Sequence, residues 1–173
     1  MTVIFGTIYV VSQQMLRMGA NDPQIQFVED FSRAISDGSN KPNDLNGLSK
    51  VDIDKSLQTF AVAYDKDGNI TAGQANLDGK APVIPKGVLE HANPQNRITW
   101  QPRPGVRIAT VVQAYDNGYI LAGRNMREIE KRENTVFELV AAGWLVAELG
   151  LTVFLVSKTK AHKNGLHAKI KKY

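Results

Sequence analysis

The residues able to do covalent or metal chemistry are few in this chain, and their spacing does not serve it. There is no cysteine, which removes thiol nucleophiles and thiolate metal sites. His91 stands alone in a loop, and His162 and His167 sit in a basic tail too distant to share a metal with it. No HExxH helix, phosphate-cradling glycine loop or GxSxG elbow occurs. Asp65 and Asp67 open like a calcium loop, but the later ligands at that spacing are missing, so they read as a hairpin turn. The residues therefore predict no enzyme, no cofactor and no metal.

What remains is recognition chemistry, concentrated in the hairpin formed by Val106–Tyr115 and Tyr119–Asn125 around Asn117-Gly118. Side chains alternate between the faces of a strand, so the hairpin can be sorted into two sets. Ile108, Thr110, Val112 and Ala114 share a face with Leu121 and Gly123, a smooth apolar side expected to carry the long helix of the domain. Arg107, Val111, Gln113 and Tyr115 share the other with Ile120, Ala122 and Arg124. Two guanidinium forks beside a phenol suit a carboxylate or another small anion. The plainer alternative is a solvated strand face whose arginines pair with neighbouring acids. Tyr64 and Trp100 are candidate lining residues, or else ordinary core aromatics.

Other elements must position that hairpin. Asn21-Asp22-Pro23 starts a helix with a capping side chain and a proline in its first turn. Ile25, Val28, Phe31 and Ile35 then fall on one face, and Asp37-Gly38 ends it. Ser39–Leu48 reads as an exposed loop. Strands are predicted at Phe60–Asp65, Ile70–Ala75 and Arg97–Gln101, with the Asp65–Asn69 turn between the first two and a short helix around Gly87–His91. Asn125 with Glu128 resembles a capping box, and the charged helix that it opens, Met126–Asn134, runs on without a breaker. Asn69-Ile70-Thr71 matches a glycosylation acceptor by composition alone.

The run that this helix enters, Thr135–Ser157, is apolar for about the 20 residues that span about 30 Å of hydrocarbon. Its Val, Leu and Phe residues favour insertion by about 4–7 kcal/mol, at about 0.3–0.6 kcal/mol each. Glu138 lies near one interface. Glu148 lies near the midplane, either as a contact with a partner helix, in a homodimer or another membrane protein, or as a protonated acid that the span tolerates. The tail from Lys158 carries six of the 21 basic residues and none of the 17 acidic ones, leaving 15 basic against 17 acidic in 1–157. Basicity beside a span indicates a cytoplasmic C-terminus and attraction to anionic lipid, and speaks against nucleic acid. Val3–Val11 is apolar over about 14 Å of helix, which fits a partial span, an interfacial helix or a first span whose upstream residues are missing; the last is favoured. An external domain without disulfides must be held by its own core, as is common on bacterial surfaces.

The expected fold is α+β. Four segments follow: an apolar helix at 1–19, an extracytoplasmic domain at 20–134, a transmembrane helix at 135–157 and a basic cytoplasmic tail at 158–173. The element order resembles the extracytoplasmic PAS-like sensor domains, of Cache or PDC type, of bacterial two-span receptors. The resemblance rests on the Phe60–Asp65 strand, the Asp67-Gly68-Asn69-Ile70 turn, the Leu77-Asp78-Gly79 loop with Pro82 and Pro85, and the Arg107–Gly123 hairpin, over roughly Pro23–Glu133. It implies an antiparallel sheet of about five strands behind a long N-terminal helix, with a ligand enclosed on the mixed hairpin face between the sheet and Leu77–Pro94. It also implies signal relay through the C-terminal helix. The sixteen residues after the span are too few for an output domain, so output would need a partner. The rival expectation is a structural or assembly component of a membrane complex, without a ligand.

Overall fold

Size alternates along the strand Phe60–Asp65 as regularly as side-chain direction does. Phe60, Val62 and Tyr64 point one way, and the small Ala61 and Ala63 point the other. The computed structural model describes residues 1–90 and 97–170, and the side chains of all of these except 86, 162 and 164–170. Its elements are α1 (Thr2–Gly19), α2 (Asp22–Ser36), a 3-10 helix (Pro42–Gly47), β1 (Val51–Asp52), β2 (Phe60–Asp65), β3 (Ile70–Gly73), β4 (Ala75–Asn76), α3 (Lys86–Glu90), β5 (Ile98–Arg103), β6 (Val106–Tyr115), β7 (Gly118–Asn125) and α4 (Arg127–Ile170). The fold is α+β: β3, β2, β7, β6 and β5 lie side by side in that order as one antiparallel sheet.

The hairpin of β6 and β7 turns one residue earlier than expected. Tyr115 pairs with Gly118, so the two-residue loop is Asp116-Asn117 rather than Asn117-Gly118. Gly118 is drawn into the ladder because it also lies opposite Asp65 of β2, where a Cβ would run into the Tyr64 carbonyl. The change moves each partner by two positions, so the sorting of residues onto faces survives.

The helix, however, takes the other face. α2 packs on the side built from Ala61, Ala63, Ala72, Val111, Ile120 and Ala122, burying Val28 and setting Ile25, Phe31 and Ile35 against them. The expected carrier, the face of Ile108, Val112 and Leu121, instead joins Phe60, Val62, Tyr64, Trp100 and Val106. Alanines lower the sheet surface, and a helix can then approach closely enough to fill the space. The bulky face carries no long helix; the one helix against it is the five-residue α3. It is closed by single side chains from thin segments, Val51, Ile53, Ala75, Ile84, Val88 and Leu89. Phe60 lies directly over Gly123, where any side chain would collide with its ring.

Two further expectations are corrected. Ser39–Leu48 is not wholly a loop: it contains the 3-10 helix, whose Leu45 is fully buried against the alanine face. Asn21 makes no side-chain cap for α2; its Nδ2 donates to the Arg17 carbonyl at the end of α1. β1 and β4 form a small parallel pair, Val51 opposite Ala75 and Asp52 opposite Asn76, that no periodicity announces. The short helix expected at Gly87–His91 is present as α3, while His91 lies outside the described residues.

The chain divides into two compact units, one of residues 15–132 and one of 1–14 with 133–173. The first holds the sheet. In the second, Tyr9 meets Phe137 edge to face with ring centroids 5.5 Å apart, and Trp144 Nε1 donates to Thr2 Oγ1 over 3.2 Å. Seven positions up one helix match seven down the other, so the pair is antiparallel. Phe5 fits over Gly143, 3.2 Å from where a Cβ would stand. The remaining faces are exposed and apolar, with Val3, Ile4, Val10 and Val11 on one helix and Leu139, Val146, Leu149, Val153 and Phe154 on the other. Among the described residues one helix is long and apolar enough to cross a membrane, Arg127–Ala161.

Candidate functional site

Sequence singled out Arg107, Gln113, Tyr115, Arg124, Tyr64 and Trp100, and the sheet spreads them apart. Arg107 and Tyr115 are eight residues apart on one strand, about 26 Å at the strand rise. Arg124 lies opposite Ala109, close to Arg107, whereas Gln113 and Tyr115 sit at the far end. Tyr64 and Trp100 occupy the bulky face, on strands separated by β7 and β6. Both arginines are already engaged. Arg107 Nη1 donates to Glu130 Oε1 over 2.7 Å, and Arg124 Nε to the Leu57 carbonyl over 2.8 Å.

The aromatic hydroxyls are held in their neutral forms. Burial pushes the Tyr64 phenol well above its ordinary pKa, and its hydroxyl has no partner among the described residues. Burial, then the charge of Asp65, raises Tyr115, which donates to the Tyr64 carbonyl at 3.4 Å. Asp65 itself is consumed by its turn. Its Oδ1 accepts from the backbone N–H of Asp67 (2.9 Å) and Asn69 (2.8 Å), and its Oδ2 from Asn69 Nδ2 (3.0 Å). Those bonds, the Asn69 amide first, lower its pKa.

A different group of residues forms a cleft. β3 is an edge strand, and its outward backbone groups at Gly73 are taken by side chains: the N–H donates to Asn46 Oδ1 (3.1 Å) and the carbonyl accepts from Lys50 Nζ (2.6 Å). Beside them the chain passes from β4 into a tight turn closed by the reciprocal backbone bonds of Leu77 and Lys80. Asp78 (φ 53°) and Gly79 (φ 84°) supply the two positive φ angles that such a turn requires. Between the 3-10 helix, the β3 edge, β4 and this turn lies a cavity of about 360 Å³. Its polar lining is Asn46, Lys50, Thr71, Asn76 and Lys80, with no acid. Asn76 belongs to the lining, but its Oδ1 is turned out of reach of solvent and has no partner among the described residues.

This cleft adjoins the start of α4 through one short strand. Lys50 immediately precedes β1, and the loop after β1 is gripped by the C-terminal ends of β5 and β7 and by the first residue of α4. Asn125 Nδ2 donates to the carbonyls of Ile53 (2.8 Å) and Asp54 (3.1 Å), and Arg127 Nη2 to that of Lys55 (3.1 Å). Arg103 pairs with the Asp54 carboxylate and, over 2.7 Å, with Asp78 of the cleft-side turn. The hydrogen bond to Asp54 leads the causes that raise the pKa of Arg103. Asn125 Oδ1 meanwhile accepts from the Arg127 N–H at 2.8 Å at the start of α4, but the expected capping box is not formed, since Glu128 pairs with Arg132 at 3.5 Å instead.

Sequence reading passed over the cleft because its residues come from four segments, each of them ordinary. Gly79 and Lys80 do belong to the Leu77–Pro94 region expected beside a ligand, of which 91–96 lie outside the described residues. Glu148 is half-buried on α4, following Val140 and Trp144 at four-residue intervals; those two residues line the groove that faces Thr2, Phe5 and Tyr9.

Comparison with known proteins decides nothing further. No family model, curated protein or solved structure matches the chain.

Proposed function

We propose that this chain is a membrane-anchored, PAS-like sensor module. It binds a small molecule outside the cytoplasm and relays occupancy through α4 to a partner helix, with the Lys158–Lys172 tail on anionic lipid. The observation that carries this reading is the grip of Arg103, Arg124, Asn125 and Arg127 on the loop 53–57. That loop shares β1 with the cleft, and the gripping residues end at a helix of 44 residues that enters the apolar run unbroken. A shift of β1 by a fraction of an ångström would be passed on because packed elements move as units.

The test uses the full chain in lipid nanodiscs, screened by thermal shift against a broad metabolite set, with hydrogen exchange followed for each hit. A folded-state ligand raises the melting temperature by mass action. The reading expects a saturable ligand that slows exchange at 70–80 and alters it at 53–57 and 127–132. A folded chain with no ligand in the set, or a ligand that leaves 53–57 and 127–132 unchanged, overturns it in favour of an assembly component.

A further inference from the structure

Arg103 stands where the alternation of β5 would not put it. Trp100 belongs to the bulky face, and three steps along a strand should leave Arg103 on the other, the face that α2 covers. β5 carries one residue more than β6 between these positions: Trp100 pairs with Ile108 and Arg103 with Val106, three steps against two. Such a bulge re-aims the side chains that follow it. Arg103 therefore comes to the face of Val106, where Asp54 meets it from the loop after β1 and Asp78 from the cleft-side turn.

That turn has two sides. Gly79 and Lys80 line the cleft; Asp78 does not, and its carboxylate accepts from Arg103 Nη1 over 2.7 Å. The reciprocal bonds of Leu77 and Lys80, 2.8 and 3.1 Å, make the turn a unit of its own, and residues 81–85 beyond it have no regular structure. The Asp78 side chain is 72 % exposed against 28 % for Asp54. Water therefore weakens the Asp78 contact more, and it is the one that opens first. The two contacts also support each other, because a guanidinium fork ordered by one carboxylate is already placed for the second.

We propose that the 77–80 turn is a lid beside the cleft, latched through Asp78 to Arg103, and that the shared guanidinium couples this lid to the loop 53–57 that Asn125 and Arg127 hold at the start of α4. The purpose of the latch rests on the sensor reading: an occupant that displaces the turn loosens the grip on α4 without moving β1.

The test needs no ligand. Backbone hydrogen exchange of the full chain in nanodiscs is compared for the wild type, Asp78→Asn, Asp54→Asn and the double variant. Asparagine keeps the shape at both positions and tolerates the positive φ of residue 78. Asp78→Asn is expected to speed exchange at 53–57 by about threefold or more, as for side chains that share one partner. Asp54→Asn should speed it at 77–80 in return. In the double variant the Asp78 change should add nothing at 53–57. A loosening passed only along the backbone from β4 persists in the double variant, so added exchange there overturns the latch. Exchange at 53–57 that is unchanged or slower in Asp78→Asn overturns it too. Exchange of β2 and β7 reports that each variant folds. Should Asp54→Asn fold poorly, Arg103→Lys is the blocking background in its place, because it keeps the charge but cannot fork to two carboxylates. Failure of the latch leaves the sensor reading resting on β1, whereas a broad screen with no ligand removes that reading and leaves the measured coupling.

Discussion

The two faces of the sheet solve the same problem, excluding water, by opposite means. On one face Ala61, Ala63, Ala72 and Ala122 keep the surface low, and a whole helix supplies the bulk through Val28, Phe31 and Ile35. On the other, Phe60, Tyr64, Trp100, Ile108 and Leu121 supply the bulk themselves, and short segments close over them. A helix-covered face is a rigid layer joined by ridges and grooves. A face closed by β1, β4, α3 and the loop residues between them depends on elements of two to five residues, with few backbone bonds of their own. The cleft lies at the β3 edge, where the 3-10 helix of the alanine face meets β4 of the thinly covered one.

Truncation and overfilling should separate the two solutions. The largest effect is expected for Phe60→Ala, which removes from the bulky face a fully buried ring larger than a small shift of its cover can fill. A loss of about 3–5 kcal/mol is expected, measured by denaturant unfolding of the full chain in detergent. A loss under about 1 kcal/mol would mean that β1 and the Ile84–Leu89 segment settle readily, and the contrast between the faces would fail. Ala63→Leu should cost about 1–3 kcal/mol by overpacking, because α2 cannot approach a raised surface. The same unfolding series would show an effect near zero if the helix merely rests on the sheet.

The smallest effect belongs to neither face. Asp65 is held below its ordinary pKa by Asn69 and the backbone N–H groups of its turn. A depressed folded-state pKa contributes stability above the unfolded value of about 4 and loses it as pH falls through the folded value. Asp65→Asn should therefore lower the melting temperature by a few degrees at pH 7, and the gap to wild type should close as pH falls through the lowered folded-state value. A gap independent of pH would assign the effect to lost shape rather than to charge.

Much of this architecture was legible in the residues. Alternation in Phe60–Asp65 and Val106–Tyr115, the 3.6-residue stripe of Val28, Phe31 and Ile35, and the long apolar run after Asn134 each mark their element. The choice of face was missed because apolar character was weighed without volume. Ala61 and Ala63 were in plain view beside Phe60 and Tyr64, and their smallness is the signal for where a helix can lie. The candidate site fared worse. Arg107 and Tyr115 share a face, yet strand rise puts them about 26 Å apart, and Arg107 and Arg124 were already committed to Glu130 and Leu57.

By itself the sequence determined the element types, the two-sided pattern of the sheet strands and the apolar helix that follows the domain. These are local properties, set by how each residue's neighbours two, three or four positions away share its environment. Only the tertiary structure decided which face α2 covers, that Val51 and Ala75 pair in parallel, and that Asn46, Lys50, Asn76 and Lys80 meet at one edge. Pairings of that kind close long loops for a handful of contacts. Their selection rests on how volumes fit across the whole domain, and no window of sequence contains that sum.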